Sequence, residues 1–134
     1  MGSHKGQDKA QFYARPDVYG IEFIHARFIT HRFARHVHDY FVLGIIETGL
    51  QTFSYRGAKY ATATQGIIVL NPDEPHTGEP ATPDGFTYKA LYPSAELMRE
   101  VVTQISGKPK QIPFFAAPVI YDSDLAHYDC IRRC

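Results

Sequence analysis

The sequence predicts a mainly β protein: a small antiparallel barrel or double-sheet jelly roll with one or two α-helices at its C-terminal end. Three observations predict it. Short runs of aromatic and β-branched residues recur up to residue 93, each bounded by Gly or Pro. Tyr and Phe, nine of each with no Trp, fall largely in those runs and favour sheet over helix. Apolar residues spaced four apart appear only after them.

The elements follow in order. Residues 1–18 read as a polar N-terminal arm whose first residues resemble a cloning remnant, so His4 is set aside. "YGIEFIHARFITHRF" (19–33) alternates apolar and polar residues as one or two half-buried strands do. "YFVLGIIE" (40–47) is a continuous apolar run of strand length. Thr48-Gly49 then predicts a turn, and "LQTFSY" (50–55) a returning strand. Arg56-Gly57 marks a second tight turn before "AKYATAT" (58–64), and "IIVLN" (67–71) resumes after Gly66. "PDEPH" (72–76) is a turn at a sheet end or edge, because Pro72 and Pro75 cannot donate to a ladder. "HTGEPATPDG" (76–85) reads as a loop and "FTYKALYP" (86–93) as a further strand, which closes a β core over 19–93.

The remaining residues, 94–134, read as a helical extension. Ser94 is a good N-cap for "AELMREVVTQI", where Leu97, Val101 and Ile105 share one face and Gly107 follows the end. After a Pro-punctuated stretch (108–118), Asp122-Ser123 predicts the start of a second helix that places Leu125, Tyr128 and Ile131 three apart.

Composition narrows the class. At 134 residues the chain is one domain, large enough to bury a core without metal or disulfide staples. Fourteen Lys+Arg balance fourteen Asp+Glu, and no basic stripe reads as a nucleic-acid surface. Cys130 and Cys134 make no disulfide framework, no run approaches a membrane span and the N-terminus has no apolar leader, so a cytoplasmic setting is expected.

"HVHDYFVLGIIETG" (36–49) carries the chemistry. Side chains alternate along a strand, so His36 and His38 share a face, with Tyr40, Val42, Gly44 and Ile46 following on it. Folding of the sheet brings His76 opposite that pair, and three imidazoles can bind zinc, iron, manganese or nickel. The other reading makes the pair hydrogen-bonded residues at the barrel mouth beside Asp39 and Tyr40. His25 and Arg27 share a face that meets either a polar ligand or solvent. Tyr88 and Lys89 are adjacent, so at most one points inward, while Phe23, Phe53 and Tyr55 line a pocket or fill core.

"HVHDYFVLGIIETG" followed by "GIIVLNPDEPH" resembles the paired motifs of the cupin superfamily, in the form seen in the N-terminal sensor domain of AraC-type transcription regulators. The likeness runs over residues 19–125 and includes the turn glycines Gly49, Gly57 and Gly66. It implies a cupin-like barrel, or double-stranded β-helix, that binds a small-molecule effector inside. In metal-binding cupins the first motif has two histidines and a glutamate. His36 and His38 match the histidines, but the glutamate position falls on Val42, and Glu47 projects from the opposite face. The second motif's proline and histidine match Pro72 and His76, with Glu74 in place of its glycine and a spacing one residue short. The resemblance also marks Tyr88 as a ligand contact.

The expected function is therefore effector binding by His36, His38, Tyr40, Tyr88, His25 and Phe53, with no catalytic residue and no required cofactor. Occupancy is expected to bias the N-terminal arm or the C-terminal helices, and Leu97, Val101, Ile105, Leu125 and Tyr128 offer a homodimer face. DNA binding is implied for a longer protein, since no helix-turn-helix pattern reads within these residues. Two alternatives stand beside this: a small cupin metalloenzyme, a dioxygenase or isomerase with a divalent metal on His36, His38 and His76, and a sugar-binding module unconnected to transcription.

Overall fold

The computed structural model describes residues 7–122 and residue 124. Its longest element is a single strand running from Val42 to Tyr55, and the fold is organised around it. The strands in chain order are β1 (Lys9–Arg15), β2 (Ile21–Phe28), β3 (Phe33–His36), β4 (Val42–Tyr55), β5 (Ala58–Ala63), β6 (Gly66–Leu70), β7 (His76–Pro80), β8 (Phe86–Tyr92) and β9 (Val119–Tyr121). One helix, α1 (Ala95–Ser106), lies between β8 and β9. The described part is mainly β with one named α-helix and a short 3-10 turn at Pro16–Val18, and its strand pairs are antiparallel.

β4 belongs to two layers. Its first half pairs with β6 and β8, in a layer ordered β1-β2-β8-β4-β6-β9; its second half pairs with β5 and β7, and β7 pairs with β3. The hydrogen-bonded path does not close on itself. The turn expected at Thr48-Gly49 is therefore a corner inside one strand. Register against β8 shifts between Ile46 and Thr48, and Gly49 takes a left-handed φ of 87°. Any Cβ there would stand 2.1 Å from the Gly85 carbonyl oxygen, so the sequence signal for a glycine was right and its meaning was different. Arg56-Gly57 does turn the chain, with φ of 50° and 78°, as a two-residue hairpin of the primed kind requires.

Other differences have similarly local causes. Residues 76–80, expected as loop, form β7 because their backbone is paired on both sides, to β3 and to β4. Residues 9–15, read as arm, form β1, paired in continuous register with β2 although nearly all its side chains are exposed. Residues after α1 return to the sheet as β9 against β6. The second helix expected from Asp122, with Leu125, Tyr128 and Ile131, lies outside the described residues apart from its first positions.

The main core sits between the layers and includes Ile24, Phe28, Ile46, Phe53, Ile68 and Phe86. Every residue of β6 is buried, which its unbroken apolar sequence required: Ile68 and Leu70 face this core, while Ile67 and Val69 face a second cluster with Ile45. Phe115 and Ile120 cover that cluster. Fully burying such a side chain contributes about 1.5–3 kcal/mol, and the partly buried Phe115 and Ile120 gain a share of that, which holds the chain after α1 against the sheet. α1 begins at Ser94, whose Oγ accepts the Leu97 N–H at 3.0 Å, and it buries no residue fully; Ile105 is 81% exposed.

Candidate functional site

Between the two layers lies a cavity of about 480 Å³. Period-two alternation decides which residues face it. From β2 the even positions Glu22, Ile24 and Phe28 line it, which turns His25 and Arg27 outward. From β4, Val42, Gly44, Gln51 and Phe53 line it; from β8 and its end, Tyr88 and Tyr92 do. The mouth is framed by exposed residues of the N-terminal segment, Asp8, Lys9 and Phe12.

Three histidines meet at one end. His36, at the end of β3, pairs in register with His76, the first residue of β7, and His38 follows two residues on. Ring centroids lie 4.4 Å apart for His36 and His76, 4.7 Å for His36 and His38, and 5.2 Å for His38 and His76. One nitrogen from each ring lies within 4.8 Å of the others. His38 also stacks on Tyr40 at 4.6 Å.

Backbone carbonyls orient two of these rings. His36 Nδ1 is 2.7 Å from the Ala34 oxygen and His76 Nδ1 is 3.2 Å from the Glu74 oxygen. A carbonyl only accepts, so each Nδ1 donates and each Nε2 is left as an acceptor in the neutral ring. Burial holds His76 down to about 4, assisted by the neighbouring His36 and His38 and opposed by its bond to Glu74. Burial likewise lowers His38, with His36 adding to the effect. Burial raises the hydroxyls of Tyr88 and Tyr92. At neutral pH His76 therefore carries a lone pair and no charge, and the lowering at His38 acts in the same direction.

His36, His38 and His76 offer a donor set for a divalent cation. Three imidazoles, two with a carbonyl fixing the tautomer, are what such an ion takes from protein. Val42, the position that the resemblance to metal-binding cupins assigns to a carboxylate, lies on the cavity wall. Glu47 faces away and accepts from His25 Nε2 at 2.9 Å, with Lys89 Nζ 3.5 Å from its other oxygen. The residues thus fit a cation held by three protein nitrogens with its remaining positions open to a ligand.

The expected site residues divide cleanly. His36, His38, Tyr40, Phe53, Tyr88 and His76 all line the cavity. His25 does not: it stands on the outer face of β2 with Glu47, beside a shallow groove formed with Lys9, Gln11 and Arg27. Of the adjacent pair, Tyr88 is the inward one. Phe23 is buried without lining the cavity, and Tyr55 is core, its hydroxyl donating to Glu74 Oε1 at 2.5 Å. Sequence reasoning passed over Gln51 and Tyr92. The signal for Gln51 was present, since it sits two residues before Phe53 and so on the same strand face.

Comparison with known proteins agrees with this architecture. A relative from Bacillus subtilis (strain 168), described as the uncharacterized HTH-type transcriptional regulator YbfI, is 26% identical over 105 residues, which are 78% of this chain and 38% of that protein. This chain thus spans well under half of that regulator's length. The crystal structure of a cupin superfamily protein from Desulfitobacterium hafniense DCB-2 aligns with a TM-score of 0.58 at 10% identity, covering 70% of this chain and 84% of that one. A Cupin 2 conserved barrel domain protein from Salinispora arenicola CNS-205 gives 0.58 at 20% identity, covering 72% and 84%. These structures share the fold. The AraC-like ligand binding domain family matches residues 18–132, nearly the whole chain, and with its cupin-like layers and interior cavity this protein belongs to that family.

Proposed function

We propose that the chain is the effector-sensing and dimerisation domain of an AraC-type transcription regulator. A small molecule enters the cavity between the layers, and its occupancy controls DNA binding by a helix-turn-helix domain of the longer, cytoplasmic protein. The observation that carries the reading is the 480 Å³ cavity itself, walled by aromatic and aliphatic side chains with a few polar groups at one end, the usual build of a small-molecule site. Family membership and the likeness to a transcriptional regulator support it.

The contacts assigned to the effector are His36, His38, Tyr40, Tyr88 and Phe53, all on the cavity wall. His25, on the outer face, is not among them. Transmission requires that the ligand bind one arrangement more tightly than another, with coupling of about 1–3 kcal/mol. Two elements are placed to respond. The N-terminal segment frames the cavity mouth through Asp8, Lys9 and Phe12, and α1 carries a half-buried apolar face, Leu97 and Val101 with exposed Ile105, that a second copy can cover. Thermal-shift screening against a metabolite library tests the reading: an effector at a hundred times its dissociation constant stabilises by about 2.7 kcal/mol, and a library without a single stabilising compound rejects it.

A second reading follows from the histidine cluster. His36, His38 and His76 would hold a divalent metal, which when bound supplies a Lewis-acidic centre able to attract an anionic ligand. Elemental analysis of protein purified without chelator decides it: stoichiometric iron, manganese or zinc, lost in His76→Ala, supports the metal.

A further inference from the structure

The wall of the cavity narrows what it can hold. Gln51 faces it from β4, is 9% exposed, and its side-chain Oε1 is shielded from solvent without a hydrogen-bond partner. Buried amide oxygens are nearly always satisfied, so an unpartnered one on a residue that lines the cavity calls for a donor from outside the chain, reached by a turn of the Gln51 side chain. His36 and His76 make the same demand. Each turns its Nδ1 to a backbone carbonyl, that of Ala34 and of Glu74 respectively, which leaves Nε2 as the nitrogen free to meet a ligand.

Charge is distributed to match. Among the described residues lining the cavity there is no arginine, and the charged ones, Asp8, Lys9 and Glu22, are all exposed. Asp8 is moreover engaged by the Ile29 and Thr30 N–H groups. The deeper wall is made of rings and aliphatic chains, the imidazole and amide acceptors, and the hydroxyls of Tyr40, Tyr88 and Tyr92. A carboxylate or phosphate buried there meets no cation among the described residues of that deeper wall, and a buried ammonium meets no carboxylate.

Resting on the effector-sensing reading, we propose that the ligand is an uncharged small molecule that donates hydrogen bonds. A hydroxyl or amide N–H reaches Gln51 Oε1, a second donor reaches the imidazoles of His36 and His76, and the apolar body lies against Phe53 and Tyr88. Gln51 is the residue that selects this class, and leaving its oxygen without a donor makes it a weak point of the ligand-free fold.

Saturation-transfer NMR on the whole chain, at neutral pH with EDTA to keep metal out of the comparison, tests this with probes sharing one ring: benzyl alcohol, benzamide, anisole, benzoate and benzylamine. The expected result is that benzyl alcohol and benzamide bind roughly fivefold or more tighter than the other three, the scale of one hydrogen bond. Gln51→Leu is expected to erase that preference while raising the unfolding midpoint of the ligand-free protein. A merely structural glutamine would give a fall in stability and no change in preference. Gln51→Met serves if the branched side chain does not fit. Tighter binding of benzoate or benzylamine overturns the proposal, as does an alcohol preference untouched by Gln51→Leu. If a library metabolite stabilises the protein and proves anionic, this inference fails while the sensing reading survives; if no compound binds at all, both fail.

Discussion

Asn71 and Phe115, forty-four residues apart, are joined by two hydrogen bonds: the Asn71 amide donates to the Phe115 carbonyl and accepts the Phe115 N–H, each at 2.8 Å. The side chain thus acts as a short piece of strand edge for the segment that leads into β9. Asn71 also donates to the Tyr55 hydroxyl at 3.0 Å, and Tyr55 donates to Glu74, two residues before His76. Arg56 closes the group, donating to the Ala116 carbonyl at 2.5 Å and lying over the rings of Tyr55 and Phe114.

Asn71→Ala is expected to destabilise the protein by about 2 kcal/mol, since two bonds to backbone are lost at a buried position and each contributes about 0.5–1.5 kcal/mol. The loss should be local first. Hydrogen exchange at the amides of Phe115 and of β9 should accelerate before that of β4 and β8, and uniform acceleration across the sheet would contradict the clasp.

Gly49→Ala should cost more, about 2 kcal/mol at the least. The left-handed φ penalises any Cβ, and the Gly85 carbonyl oxygen occupies its place. Because Gly49 is where β4 passes from one layer to the other, denaturant unfolding should report the loss as a lower midpoint for the whole domain, with the slope unchanged.

These two residues show what the sequence could and could not convey. Alternation and apolar runs made β2, β6 and β8 readable because their side chains choose a face. β1 and β7 left no such trace: "KAQFYAR" and "HTGEP" are strands because neighbouring backbones pair with them, a long-range cause invisible in a short window. Gly49 announced a special backbone angle without announcing whether the chain turned back or bent on. In the site, His36 and His38 were legible from their spacing, whereas His25 faced outward because Glu22, Ile24 and Phe28 took the inward positions of β2. Asn71 and Gln51 were not legible at all as a clasp and an open acceptor, for both roles depend on what the fold brings or fails to bring to an amide.

At the cavity mouth, Asp8 ties the N-terminal segment to the 29–30 turn, accepting from the Ile29 N–H at 2.6 Å, the Thr30 N–H at 3.0 Å and the Thr30 hydroxyl at 2.9 Å. Those donors, Ile29 first, lower its carboxyl from 3.8 to about 2. A depressed carboxyl pKa means that the attachment is complete above pH 3.8 and is lost as pH falls through about 2. Asp8→Asn should abolish that dependence and release residues 7–15 at neutral pH, seen as faster exchange of the β1 amides; unchanged protection in the variant would show that pairing with β2 suffices alone.

Val42→Glu is the most direct test of the histidine cluster as a metal centre. The wall position is already on the face of β4 that carries Gly44 into the cavity, and a glutamate there adds the anionic ligand that three neutral imidazoles lack. Affinity for zinc or cobalt should rise roughly 10- to 100-fold, the scale on which changes around a metal act. Without metal the same variant should be less stable than the parent, because Val42 is 9% exposed and its replacement leaves a carboxylate on an apolar wall. The two effects are coupled: adding metal should restore the lost stability in Val42→Glu and not in Val42→Glu combined with His76→Ala. Cobalt titration followed by its visible absorption, together with thermal unfolding of both variants, reads each arm separately. Equal cobalt affinity in parent and Val42→Glu would show that position 42 does not reach the ion, and no cobalt binding in either would leave His36 and His76 as acceptors for an organic ligand alone.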